Sequence, residues 1–501
     1  MEKSKIPWYQ LILHQGILTN DILIYKYAGN GTIHDPYRVT FLDNDPGDPL
    51  QFKSWIRWTL CLIVGFVTLS VTFASSAYAS AVPEITSEMG GSDVVNTLGV
   101  SLFVIGFIFG PFLWAPTSEL FGRQVIFIIS SFVHAAFNVG ICVAPNMPSI
   151  LVLRYLSGAS GAAPLTNAGG VIADCFPPSE RGLAMTVFAL VPLFGPVLGP
   201  VVGGFAAESI GWRWLMGIIA ILSGIAAIII TVTLPETYRP VLLRRRAVRL
   251  STATGKVYIS SMDNTTTSSE SFGRKLWTTL SRPWVLMIHE PIIVILALYQ
   301  AVVFGTLYLC FAAFPIVFAQ QRGWPQGISG LPFLGVLVGT LCAVVLQLLE
   351  NRRYIKILAH HAPNPAPPET RLLSCCIGSV AIPIGLFWFS WTNSPDFHWM
   401  ASISAGAPFG FGVVLVTIGS INYLVDSYTM FAASALAVCV VGRAIFGAVF
   451  PLFTTPMYNR LGIHWASMIP AFLALACAPF PYIFYCYGPG IRKRCKYATR
   501  G

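Results

Sequence analysis

Charge is scarce in this chain, and acid scarcer than base: 501 residues hold 21 Asp and Glu against 31 Lys and Arg, 10% charged positions in all. Soluble domains carry roughly a quarter, so a water-soluble globule is excluded. No run matches HExxH, GxSxG or a Walker-type GxxxxGK[ST], and no span holds paired mid-helix aspartates. Intramembrane hydrolysis and direct ATP use are therefore left without residues, and no covalent catalysis is expected. The eleven cysteines show no CxxC or Cys/His spacing, which points to small buried apolar side chains rather than metal or disulfide chemistry. No basic domain stands apart from the loops, so the net charge of +10 is no footprint of nucleic-acid binding. Alternating strands of the barrel type are also missing.

Apolar sequence is abundant: 55% of residues are hydrophobic and the mean hydropathy is +0.67. Twelve runs are long enough to cross a bilayer as helices, at about 58–80, 94–114, 125–144, 149–173, 183–206, 213–234, 291–319, 328–349, 373–391, 399–423, 430–453 and 464–487. Residues 1–57 are polar, so no secretory signal is expected before the first run, which is itself too long for a signal-peptide core. An even number of spans puts both termini on one side. That side receives 26 of the 31 basic residues, against Arg213, Arg322 and Arg460 opposite and Arg154 and Arg443 inside spans, so the positive-inside rule predicts cytoplasmic termini.

The chain is thus divided into a cytoplasmic N-terminal tail at 1–57, a six-helix bundle at 58–234, a cytoplasmic central loop at 235–290, a second six-helix bundle at 291–487 and a cytoplasmic C-terminal tail at 488–501. The loop contains STATGKVYISSMDNTTTSSES and no core-forming pattern, and is expected as a flexible linker. Arg244, Arg245, Arg246 and Arg249 either rest on anionic lipid as an interfacial helix or serve as orientation charge. Asn30-Gly31-Thr32 and Asn264-Thr265-Thr266 match the glycosylation pattern but fall on the cytosolic side, so neither is expected to be modified. All-α architecture, two equal bundles about a pseudo-two-fold axis and a midplane site is the plan of an alternating-access carrier.

The most informative run is FALVPLFGPVLGPVVGGF at 188–205. Proline removes helix hydrogen bonds and glycine removes side chains, so it predicts a bent helix with a bare face for a close neighbour.

Several motifs resemble the major facilitator superfamily. The loop APTSELFGRQ is similar to its acid-base-glycine-base motif, with Glu119 on the acid, Gly122 on the glycine and Arg123 on the following base, while Ala115, Leu120 and Gln124 depart from it. Asp174 and Arg181 would complete that cluster, which implies a charge latch made in one conformer and released in another. RYLSGASGAA at 154–163 resembles the arginine motif of span 4, implying proton coupling or anion-side electrostatics for Arg154, unless its position near the span's outer end lets it snorkel. Gly195, Pro196, Gly199, Pro200, Gly203 and Gly204, with Gly182 upstream, match the antiporter motif, although Val191 stands where another glycine is usual. Blocks such as PLTNAGGVIAD, LPETYRPVLLRRRA and FPLFTTPMYNRLGIHWA narrow the resemblance to fungal twelve-span drug:proton antiporters. Members often carry a glutamate where this chain has Ala312.

That resemblance implies proton antiport, yet all 21 acids fall in loops or near helix ends. The coupling candidates are Glu290 and Asp426 at span ends, His134 within span 3, and Arg154. Polar residues in otherwise apolar runs, Asn167, Tyr299, Gln300, Tyr308, Asn422 and Tyr423, are the candidates for the substrate cavity, or else interhelical hydrogen bonders. Ring faces suit bulky apolar or cationic organic molecules. The expectation is a monomeric plasma-membrane carrier in a lipid bilayer, exporting drugs, toxins or secondary metabolites against protons, without cofactor or metal. A carrier for a defined metabolite such as a polyamine, or a non-transporting sensor on the same scaffold, are the alternatives.

Overall fold

The structure, a computed structural model, describes residues 7–498 apart from His14, Asn44, 263–271 and 362–366. Asn264, Thr265 and Thr266 lie outside the described residues. Ten helical stretches are long and apolar enough to cross a membrane. The first half has α1 (Ser54–Met89), α2 (Val94–Phe121), α3 (Arg123–Cys142), α5 (Pro178–Ile210) and α6 (Trp212–Thr233). It also has α4 (Met147–Cys175), whose Gly, Ala and Ser content and Arg154 lower its hydropathy. A helix α7 (Arg239–Thr254) and a helix α8 (Phe272–His289) lead into the second half. There α9 (Pro291–Gln321), α10 (Gln326–His360), α11 (Leu372–Thr392) and α12 (Trp399–Ser427) are followed by one continuous stretch, Ser434–Arg494. This stretch breaks at Gly462, whose φ of 74° is not helical, so it is two helices, α13 (432–461) and α14 (463–494). Twelve membrane-length helices therefore form among the described residues.

Packing repeats between the halves. Helix α1 lies on α5 as α9 lies on α13, α2 on α4 as α10 on α12, and α3 on α4 as α11 on α12. The halves meet where α2 contacts α13 and where α5 contacts α10. Glycine and proline placement explains the close pairs, since bare backbone lets helix axes approach. Added Cβ atoms at Gly195 and Gly199 of α5 would stand 2.7 Å from Phe73 N and 2.8 Å from Ala77 N of α1.

On the side that carries the termini, the central loop is more than a linker. Strands β1 (Tyr37–Val39) and β2 (Tyr258–Ser260) pair in parallel, and α7 buries Leu243, Ala247 and Leu250 against Ile22, Tyr27 and Val39 of the tail. Neither segment has a core alone, and each supplies the apolar face the other lacks. Arg246 is buried here in a two-pronged ion pair with Asp45, at 2.5 and 3.2 Å. It therefore does not reach lipid, whereas Arg244 and Arg249 are exposed. Arg245 donates to Phe121 O at 3.1 Å, fastening this cap to the end of α2.

Candidate functional site

A sizeable cavity lies between the halves toward the side away from the termini. It is a cavity of about 340 Å³ lined by the far ends of α1, α2, α5, α9, α10 and α13. Its wall on α9 is a widened π turn, Pro315–Gln321; proline cannot donate the helical hydrogen bond at 315, and such turns recur at functional positions. Phe311 and Phe333 supply rings, Pro200 and Pro451 apolar ridges, and Thr97, Gln320 and Thr455 hydrogen-bonding groups. Ala312 is in the lining. Beneath Phe311, Tyr308 Oη is 2.9 Å from Ser75 Oγ, tying α9 to α1 across the halves. Toward the terminal side, Leu190, Leu193 and Phe194 of α5 close on Val344 and Leu346 of α10 and on Phe411 and Ile418 of α12. On the far side the halves are joined by polar contacts: Gln326 Nε2 donates to Ser80 O, and Gly327 N to Glu208 at 2.7 Å.

None of the six cavity candidates lines this space. Tyr308 lies under it. Asn167 accepts from Ser118 Oγ at 2.9 Å and belongs to the charge cluster at the opposite end. Tyr299 and Gln300 are buried about 18 Å further down α9 from Phe311, at 1.5 Å per residue. Tyr423 is buried beside Phe484, and Asn422 is half-buried. Period and polarity find membrane-buried polar groups, but not which of them face water. The lining residues sit at span ends, where an apolar wall and a packing face read alike.

The charge cluster forms around Arg123, which reaches Asp174 at 3.4 Å, Ser118 Oγ at 2.5 Å and the Tyr238 ring at 4.9 Å. Glu119 is not its partner; it is exposed at the end of α2. The carboxylate that closes the cluster is Glu236, just after α6, which accepts from the backbone N–H of Arg123, Thr237 and Tyr238 at 2.9, 3.0 and 2.9 Å. It lies against Gly122, where φ is 102° and an added Cβ would meet Glu236 Oε2 at 2.0 Å. Arg181 caps the end of α4 instead, donating to Ala173 O and Phe176 O. The PET triplet after span 6 was the available signal for Glu236, but nothing local marks its distant partner.

Burial holds Glu236 above the ordinary carboxylate pKa, against the hydrogen bonds that pull it down. A carboxyl raised in the folded state favours folding below its unfolded value, and that advantage is lost as pH rises through the folded value. The wild-type melting temperature relative to Glu236→Gln is therefore expected to fall as pH rises above the ordinary carboxylate range. Thermal melts of both proteins in detergent check this; a constant difference would place the titration elsewhere.

The coupling candidates are all engaged. Arg154 is fully buried, so it does not snorkel: Nε donates to Gly99 O at 2.9 Å, Nη1 to Ala74 O at 2.8 Å and Nη2 to Ser75 O at 3.3 Å, between the rings of Tyr78 and Phe103. His134 Nδ1 is 2.8 Å from Ser157 O and its Nε2 is 3.1 Å from Asn138 Nδ2, a pattern that suits a neutral ring. Glu290 accepts from Tyr428 Oη at 2.7 Å and from the amides of Lys496 and Tyr497 at 2.8 and 2.9 Å, holding the C-terminal segment to the start of α9. Asp426 pairs with Arg371 at 3.2 Å and accepts from Tyr354, so the α11–α12 end repeats the arginine-aspartate pair of α3 and α4.

Residues 64–451 match the family model of the Major Facilitator Superfamily. The chain belongs to the major facilitator superfamily. Among similar proteins, the major facilitator superfamily multidrug transporter mdrA of Aspergillus fumigatus is 54% identical over 99% of this chain and 82% of its own length. The MFS-type efflux pump MFS2 of Trichophyton rubrum is 54% identical over 99% and 83%. The efflux pump FUB11 of Gibberella moniliformis is 47% identical over 96% and 81%. The fold is shared with the xylose transporter XylE from E. coli, in a partially occluded inward open conformation, at a TM-score of 0.61 and 16% identity over 85% of this chain and 99% of that one. This major facilitator protein thus has a transporter fold with a cavity between its halves.

Proposed function

We propose that this major facilitator protein is an alternating-access efflux carrier that exports small organic molecules, in line with relatives named multidrug transporter and efflux pump. The observation that carries the reading is the cavity of about 340 Å³ between the bundles, within the range that encloses drug-sized ligands. Apolar side chains join the halves on its terminal side and a few polar contacts join them on the other, two sets of contacts that an alternating-access cycle breaks and remakes in turn. Both termini are assigned to the cytoplasm on the strength of the basic loops, and the plasma membrane is proposed as the location because export from the cell takes place there. The Arg123–Asp174–Glu236 and Arg371–Asp426 clusters are assigned as latches of the two halves, and the glycines of α5 as the packing face they work against. Proton antiport belongs to the proposal. Asp426 is the coupling candidate to neutralise first, because it is partly exposed on the terminal side while Arg154, His134 and Glu290 are buried. A polyamine carrier is disfavoured, since the lining offers no carboxylate.

The test is accumulation of labelled compounds in inverted vesicles energised by a pH gradient. Export of several chemically unrelated compounds is expected, with accumulation abolished by an uncoupler. Accumulation that survives the uncoupler would remove proton antiport and leave a facilitator; no movement of any compound would leave a sensor.

A further inference from the structure

We infer that the cavity selects uncharged amphiphilic molecules and excludes organic cations. The inference rests on the cavity being the transport site proposed above and names the substrate class that site takes.

The lining holds no ionisable side chain: its polar groups are hydroxyls and amides, among them Thr97, Gln320 and Thr455. The two carboxylates next to lining residues are already engaged. Glu84, beside Pro83, accepts from Trp212 N at 2.7 Å, and Glu208 accepts from Gly327 N at 2.7 Å, beside Gln326. The fixed charges deeper in the bundles are positive. Arg154 stands one layer behind the wall, for it bonds Gly99 O while the next residue, Val100, lines the cavity. Its counter-charge is made of carbonyls and ring faces, with no acid among the described residues. On α13, half-buried Arg443 has the Phe304 ring at 5.8 Å and likewise no acidic partner among the described residues.

A cation that enters sheds its water, meets no carboxylate and feels the field of these arginines; only the faces of Phe311 and Phe333 oppose that cost. A neutral molecule exchanges its few water contacts for hydroxyl and amide groups and buries its apolar body against rings and prolines. One carboxylate at the wall would reverse the preference, and Ala312 is a lining position at which an acidic side chain can be introduced.

The experiment compares a labelled aryl amide bearing a tert-butyl group with its trimethylammonium isostere, in inverted vesicles containing the full chain. The two differ in charge and hardly in shape. Wild type is expected to accumulate the neutral compound at least about tenfold faster; Ala312→Glu is expected to shrink that ratio by about tenfold, and Ala312→Gln to leave it unchanged. Gln320→Glu on the same wall repeats the test if Ala312→Glu does not insert. Equal rates for both compounds in wild type would overturn the inference and leave the transport reading standing. If neither this pair nor a wider panel moves, the transport reading falls and the inference with it.

Discussion

A single methyl group at position 199 is expected to abolish most export. A Cβ built on Gly199 stands 1.9 Å from Ser76 Oγ and 2.8 Å from Ala77 N, and one on Gly195 stands 2.0 Å from Thr72 Oγ1 and 2.7 Å from Phe73 N. The hydroxyls can rotate away, but the amides belong to the backbone of α1. Gly199→Ala must therefore push α1 and α5 apart. The shift reaches the second half, because Pro200 O lies 2.4 Å from where a Cβ on Gly330 would be, and Pro200 itself lines the cavity. Overpacking of this kind costs about 1–3 kcal/mol, which corresponds to a loss of roughly fivefold to more than a hundredfold in any state that needs the contact. Gly224→Ala is the control, since nothing lies within 4 Å of a Cβ there. Vesicle export normalised to inserted protein measures the effect. A well-inserted Gly199→Ala protein that exports at the wild-type rate would show that the close contact is dispensable.

Arg154→Lys is expected to be nearly as damaging. The guanidinium spreads three donors over two helices, to Ala74 O and Ser75 O on α1 and Gly99 O on α2, and its plane lies between the rings of Tyr78 and Phe103 at 4.4 and 4.2 Å. An ammonium keeps the charge but brings its donors to one nitrogen and stacks poorly. Each lost hydrogen bond from a charged group weakens the arrangement by about 1.5–3 kcal/mol, so α1 and α2 lose their common strut directly behind the cavity wall. Export is expected to fall at least about tenfold, with a lower melting temperature in detergent but retained insertion. Wild-type export by Arg154→Lys would mean that charge alone suffices there.

The linear order of residues accounts for the helices and their number. A run of some twenty apolar residues must satisfy its own backbone in lipid, so length and hydropathy suffice. The run 188–205 likewise announces a bare helix face, because glycine and proline act locally. Partners across the chain were not legible. Arg123 and Glu236 are 113 residues apart, and Glu290 and Lys496 are 206 apart. Glu119, the nearer acid in sequence, is the one the motif sets beside Arg123, and nothing local to Glu290 marks its bonds to Lys496 and Tyr497. The cap of tail and central loop escaped notice for the same reason, since half of its core comes from each.

Composition and local pattern by themselves determined a twelve-helix membrane protein, the side of its basic loops and the flat face of α5, since each follows from how one segment meets lipid or removes a side chain. The neutral cavity and the contacts that join the halves on either side of it were decided only by the tertiary structure. Whether a buried polar or small residue faces a neighbour or a void depends on the rotation of each helix against helices hundreds of residues away, and the same apolar alphabet serves both.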